Sequence, residues 1–194
     1  MYIIFEGIDT TGKSTQVELF ASRHKNIVTT KEPGGTKVGQ KFRQILLESA
    51  DKLSSNAELL LFLADRAEHY EKIVKPALKE NYVISDRGLV SGISYALANH
   101  PELDRDFLLH VNKFALGGKL PEKVVLFKTN YDLITSRLGN KEKDTIELRG
   151  IKYLLHVQDL MKETLEALHV EYLEVNSADT IEEIYKQIEE FIYG

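Results

Sequence analysis

The stretch Gly7-Ile8-Asp9-Thr10-Thr11-Gly12-Lys13-Ser14 directly follows the apolar run Tyr2-Ile3-Ile4-Phe5 and leads into a helical pattern carrying Val17, Leu19 and Phe20. Two glycines with four residues between them, followed by lysine and a hydroxyl, fit the pattern GxxxxGK[ST]. In that pattern consecutive backbone N–H groups wrap a phosphate, the lysine reaches its terminal oxygens, and the hydroxyl holds Mg²⁺. A strand leading in and an amphipathic helix leading out place the helix N-terminus against the anion. Gly7 through Ser14, with Thr15 beside them, are therefore the expected phosphate cradle. The cradle implies a nucleotide and leaves the reaction open.

The 194 residues and 43% hydrophobic content suit one globular α/β domain covering the whole chain. A net charge of −5 argues against a nucleic-acid surface spread over the domain, so a small anionic ligand is expected. With no cysteine there is no disulfide, thiolate nucleophile or zinc–cysteine site. Metal chemistry must then run through oxygen or imidazole, and a reducing cytoplasm fits. The first strand begins at residue 2, and apolar runs such as Leu59 to Ala64 are far too short to span a bilayer. The expectation is a soluble, cytoplasmic protein with no membrane partner.

Short apolar or β-branched runs recur at Tyr2–Phe5, Ile27–Thr30, Tyr82–Ser85, Lys123–Phe127 and Val170–Val175, separated by segments of helical period. This alternation predicts βαβ units and a mostly parallel sheet. In the last segment Ile181, Ile184, Ile188 and Phe191 form one stripe, with Glu182, Glu183, Glu189 and Glu190 on a solvated face. The polar run Gly139-Asn140-Lys141-Glu142-Lys143-Asp144 lacks apolar periodicity. It reads as either a mobile loop that closes over phosphates or an exposed connector.

Three further segments carry chemistry. Thr30-Lys31-Glu32-Pro33-Gly34-Gly35-Thr36 is ordinary turn chemistry by itself, and Arg43, in the helix that follows, could face solvent or an anion near the cradle. Tyr82-Val83-Ile84-Ser85-Asp86-Arg87 puts a carboxylate and a guanidinium at the carboxyl end of a strand, where open α/β sheets bind ligands. Asp86 could hold Mg²⁺ through water and Arg87 a phosphoryl oxygen bidentately, or the two could form a plain ion pair. Phe62 and Arg66, at i and i+4, lie on one helix face. They could clamp a flat heterocycle, or Phe62 could be core and Arg66 a snorkelling surface residue.

Taken in order, Phe5-Glu6-Gly7-Ile8-Asp9, Lys31-Glu32-Pro33-Gly34-Gly35-Thr36, Phe62-Leu63-Ala64-Asp65-Arg66-Ala67, and Asp86-Arg87 with Ser91 and Tyr95 resemble the thymidylate kinases. The resemblance implies a three-layer P-loop kinase fold, with a five-stranded parallel sheet, helices on both faces and a mobile lid at about residues 137–149. It implies transfer of the ATP γ-phosphoryl group to dTMP, giving dTDP and ADP, with Mg²⁺, in a homodimer. Its site residues follow by position. Asp9 would bind the sugar 3′-hydroxyl, Arg43 and Arg87 the acceptor phosphate, Phe62 would stack on thymine, and Arg66 would hydrogen-bond a base carbonyl. Tyr95 would close the sugar pocket, with Pro33, Ser91 and Gly92 completing the acceptor site. Ser14 and Asp86 would stand at Mg²⁺ and Arg137 near ATP.

Lys31, Gly88 and Ala96 depart from the family's usual arginine, tyrosine and glutamine. Thr10 and Thr11 put no arginine in the cradle, so the resemblance assigns the transition-state cation to the lid, where Lys141 and Lys143 are the candidates beside Lys13, Asp86 and Arg87. Rival readings are a kinase for another nucleoside monophosphate or a deoxynucleoside, and a non-catalytic nucleotide-binding protein. A GTPase is disfavoured, because Asn140-Lys141-Glu142-Lys143-Asp144 is one residue too long for the guanine-reading pattern and follows no strand.

Overall fold

The computed structural model describes residues 1–49, 52–138 and 150–194. Five strands, β1 (Tyr2–Glu6), β2 (Ile27–Lys31), β3 (Tyr82–Asp86), β4 (Lys123–Lys128) and β5 (Glu171–Asn176), pair in the order β2-β3-β1-β4-β5. Every pairing is parallel. The central strand explains the arrangement. All five residues of β1 are buried, with Tyr2 and Ile4 in one apolar cluster and Ile3 and Phe5 in another, so each face of the sheet needs its own helical cover.

One face is covered by α1 (Lys13–Arg23) and α9 (Ile181–Tyr193) through Val17, Phe20, Ile184, Tyr185, Ile188 and Ile192. The other is covered by α3 (Ser55–His69), α5 (Leu89–Asn99), α6 (Arg105–Ala115) and α8 (Ile151–Leu168), with α2 (Lys37–Arg43) leaning on α3. A short α4 (Lys75–Ala77) continues α3 after one π-helical turn, and α7 (Tyr131–Leu138) follows β4. The three layers and the five-stranded parallel sheet match the expected architecture.

The last helix corrects one detail. Ile181 opens α9 and is 56% exposed, while Tyr185 and Ile192 join Ile184 and Ile188 inside. Ile181, three residues before Ile184, points along the same face, but it is the first residue of the helix and stays exposed there. Among the described residues, no helix is long and apolar enough to cross a membrane.

Candidate active site

The carboxyl ends of β1 and β3 lie side by side, with Phe5 in register with Asp86, and the cradle follows β1 at this point. Gly7 has φ +148°, and a Cβ there would stand 2.8 Å from the Phe127 carbonyl oxygen, so only glycine lets the loop turn against β4. Gly12 has φ +93° and caps α1. Ile8 itself is core, and only its backbone faces the loop. Its carbonyl accepts from Lys13 Nζ at 2.8 Å and from Thr11 Oγ1 at 2.9 Å, pinning the lysine across the cradle. Ser14 and Thr15 are exposed in the first turn of α1. Burial, then the nearby charge of Arg87, lowers the Lys13 ammonium to about 7.

Ser14 Oγ donates to Asp86 Oδ2 at 2.7 Å, so the hydroxyl and carboxylate expected at the metal share one spot. No cluster of three or more His, Cys, Asp or Glu able to hold a metal occurs among the described residues. One hydroxyl and one carboxylate fit Mg²⁺, which takes few protein ligands and keeps phosphate oxygens and water.

Across the loop, Arg87 stands at φ +69°, a left-handed backbone region costly for any residue other than glycine and typical of functional turns. Its Nη2 donates to Asp9 Oδ1 at 2.6 Å, and its Nη1 to the Gly7 carbonyl at 2.8 Å and Ser91 Oγ at 3.1 Å. Burial would raise the Asp9 carboxyl, but Arg87, Lys13 and Arg43 outweigh it and hold the group below its ordinary value. Arg43 Nη1 donates to the Pro33 carbonyl at 3.1 Å, and its chain fills the space beside Gly34, where a Cβ would meet Arg43 Cδ at 3.0 Å. Arg43 therefore lies along the Pro33–Gly34 turn, close enough for its charge to act on Asp9.

Tyr95 presents a buried hydroxyl with no hydrogen-bond partner among the described residues, and the Arg87 guanidinium lies 6.0 Å from its ring. Burial pushes this phenol up to about 12, so it stays protonated and able to donate. A hydroxyl left unpaired beside Arg87 marks a place where a ligand oxygen would complete the bonding.

Phe62 is half-buried and belongs to neither apolar cluster, so it is not core. Arg66 is not a surface residue either, being 3% exposed. Its Nε donates to Glu32 Oε2 at 2.9 Å and its Nη1 to Asn112 Oδ1. His69 Nδ1 donates to Glu32 Oε1 at 2.8 Å, and its Nε2 lies 2.7 Å from Thr30 Oγ1. Burial would raise Glu32, yet Arg66 and His69 hold it ionised and low. Gly92 packs against the same fork: a Cβ would come 3.1 Å from Arg66 Nη2. Gly88 has an equally local reason, since a Cβ there would stand 2.6 Å from Ile4 Cδ1. Ala96 packs against the core on the same helix.

Arg137 Nη1 donates to the Thr10 carbonyl at 2.8 Å and its Nη2 to the Ser177 carbonyl at 2.6 Å, tying the start of the expected lid to the cradle. Lys141 and Lys143, with residues 139–149 of the lid expected at about 137–149, lie outside the described residues. Glu6, Glu32, His69 and Asn112 were given no role from the sequence. Glu6 and Glu32 stand inside the quoted motifs and His69 lies two residues past one, whereas Asn112 sits on α6 with no motif to mark it.

A cradle at the end of the central strand, facing a second group of cations across Asp9, defines a P-loop nucleotide phosphotransferase. The thymidylate kinase family model matches residues 5–188. The chain belongs to the thymidylate kinase family. It is 52% identical over 193 residues to the thymidylate kinase of Campylobacter curvus, covering 99% of each chain. It is 52% identical over 188 residues to that of Sulfurovum sp., covering 97% of each. The crystal structure of thymidylate kinase from Ehrlichia chaffeensis aligns over 100% of this chain and 98% of its own, with a TM-score of 0.79 at 26% identity.

Proposed function

We infer that the chain transfers the γ-phosphoryl group of ATP to dTMP, giving dTDP and ADP, and uses Mg²⁺. The observation that carries this reading is the pairing of the Lys13 cradle with Arg87 and Arg43 across Asp9. One phosphate-binding group serves a donor, and two serve an acceptor that is itself a phosphate. That second group favours a monophosphate kinase over a nucleotide-binding switch or a nucleoside kinase.

Phosphoryl transfer proceeds through a loose transition state with charge spread over oxygens, so it needs alignment and positive charge more than a base. Lys13 and the cradle amides would hold the donor phosphates, and Arg137 would lie by the ATP. Ser14 and Asp86 would hold Mg²⁺, which when bound neutralises phosphate charge. Arg87 would grip the acceptor phosphate with the part of its fork not engaged by Asp9 and Gly7. Asp9 would accept a hydrogen bond from the sugar 3′-hydroxyl, and Tyr95 would give the sugar pocket its wall. Phe62 would cover one face of thymine while Arg66, its Nε and Nη1 already committed to protein, would offer its remaining donors to a base carbonyl. Pro33, Ser91 and Gly92 would complete the acceptor site. The lid, with Lys141 and Lys143, would bring the last cations and exclude water.

The same proposal includes a cytoplasmic homodimer. Leu60, Phe107 and Phe114, 63%, 53% and 86% exposed on the packed helices α3 and α6, supply the apolar surface that a second copy would cover. The reading is tested with Lys13→Ala. The fold should persist by circular dichroism while kcat drops on the order of 100- to 1,000-fold, as for loss of an electrostatic stabiliser. Near-wild-type turnover would remove the cradle from the mechanism.

A further inference from the structure

Glu6 ends β1 as a fully buried carboxylate that the phosphoryl-transfer reading does not use. A buried carboxylate is unfavourable unless its oxygens are satisfied, and an apolar residue at the end of a core strand would fold as well. Burial indeed lifts its carboxyl above the ordinary range, against the bonds from Ser91 and the charges of Arg87 and Lys13.

Among the described residues, both side-chain hydrogen bonds of Glu6 come from Ser91. The Ser91 backbone N–H donates to Oε1 at 3.1 Å, and the Ser91 hydroxyl donates to Oε2. A hydroxyl has a single proton. Once that proton points at Glu6, the serine oxygen can only accept, and Arg87 Nη1 fills it at 3.1 Å. Ser91 is 6% exposed, so its hydroxyl is turned inward toward this chain of bonds. The consequence reaches the arginine, whose remaining restraints, Gly7 and Asp9, both belong to the cradle loop.

We propose that Glu6 is a positioning residue, which orients the Ser91 hydroxyl as an acceptor and through it aims the Arg87 fork at the acceptor phosphate. This rests on the reading of Arg87 as the group that holds that phosphate. Glu6 touches no substrate. A residue that merely capped α5 through the Ser91 N–H would affect folding without distinguishing one nucleotide from the other.

The test measures KM for dTMP and for ATP in Glu6→Gln, Ser91→Ala, the double variant and Arg87→Ala, with thermal unfolding of each. Glu6→Gln keeps the shape but sets a donor against the serine oxygen. It should raise the dTMP KM about tenfold, the scale of a bond to a charged group, with the ATP KM unchanged. Ser91→Ala should do the same, and the double variant should be no worse than the larger single, because both act on one path. Equal rises for the two nucleotides, additive effects, or an unchanged dTMP KM would overturn the role of Glu6. Should Glu6→Gln fail to fold, Ser91→Ala alone carries the test with the same two outcomes. If Arg87→Ala leaves the dTMP KM unchanged, the acceptor-phosphate reading itself fails; if it raises that KM while Glu6→Gln does not, only the inference fails.

Discussion

Lys13 holds a charge that the folded chain makes hard to keep. Burial and Arg87 bring its ammonium to about 7, against about 10.4 for a free lysine. Between these values the unfolded chain binds more protons than the folded one. The Lys13 contribution to stability therefore improves as pH rises through that window and is lowest below it. Anionic phosphates reverse the bias, so nucleotide binding at pH 8 should be accompanied by proton uptake. Calorimetry in buffers of different ionisation enthalpy measures this, and Lys13→Met should abolish it. The base end yields a second residue-scale expectation. Asn112 holds Arg66 Nη1 and is itself fixed by donating Nδ2 to the Leu108 carbonyl at 2.7 Å. Asn112→Ala should free the fork and lower the kcat/KM preference for dTMP over dCMP on the order of tenfold, as a buried donor loses its aim. An unchanged preference would detach Asn112 from base reading.

The elements were readable wherever one local rule decided them. β1 announces itself because a strand covered on both faces reads as a near-continuous apolar run, here Tyr2 to Phe5 before Glu6, and the glycines of the cradle mark the turn that follows it. The placement of Arg66 was not readable, since its partners Glu32 and Asn112 are separated from it by 34 and 46 positions and come together only when α3, α6 and the end of β2 pack. The same holds for Glu6 and Ser91, 85 positions apart. A sequence window sees a charged residue next to a motif; it does not see which buried partner makes that charge tolerable. At this scale the pair α3 and α6 makes its own prediction. If their exposed apolar face is covered by a second copy, the chain should sediment as a dimer, and Phe114→Glu should give a monomer that retains its helical content. A wild-type monomer would contradict it.

The whole molecule divides its labour between the two flanks of Asp9. On one flank the cradle and Arg137 suit a polyphosphate donor; on the other, Arg87, Arg43, Tyr95 and the Phe62–Arg66 face suit a phosphorylated nucleoside with a planar base. Each flank alone would describe a binding protein. Together, at the carboxyl ends of one parallel sheet, they supply the two phosphate-binding halves that the proposed transfer requires. The most direct test is ADP release by the purified protein with Mg-ATP against dTMP, dUMP, dCMP, AMP and GMP in turn. Strong stimulation by dTMP, with dTDP formed in equal amount, is the predicted result; stimulation by another acceptor instead of dTMP, or by none, would contradict the account.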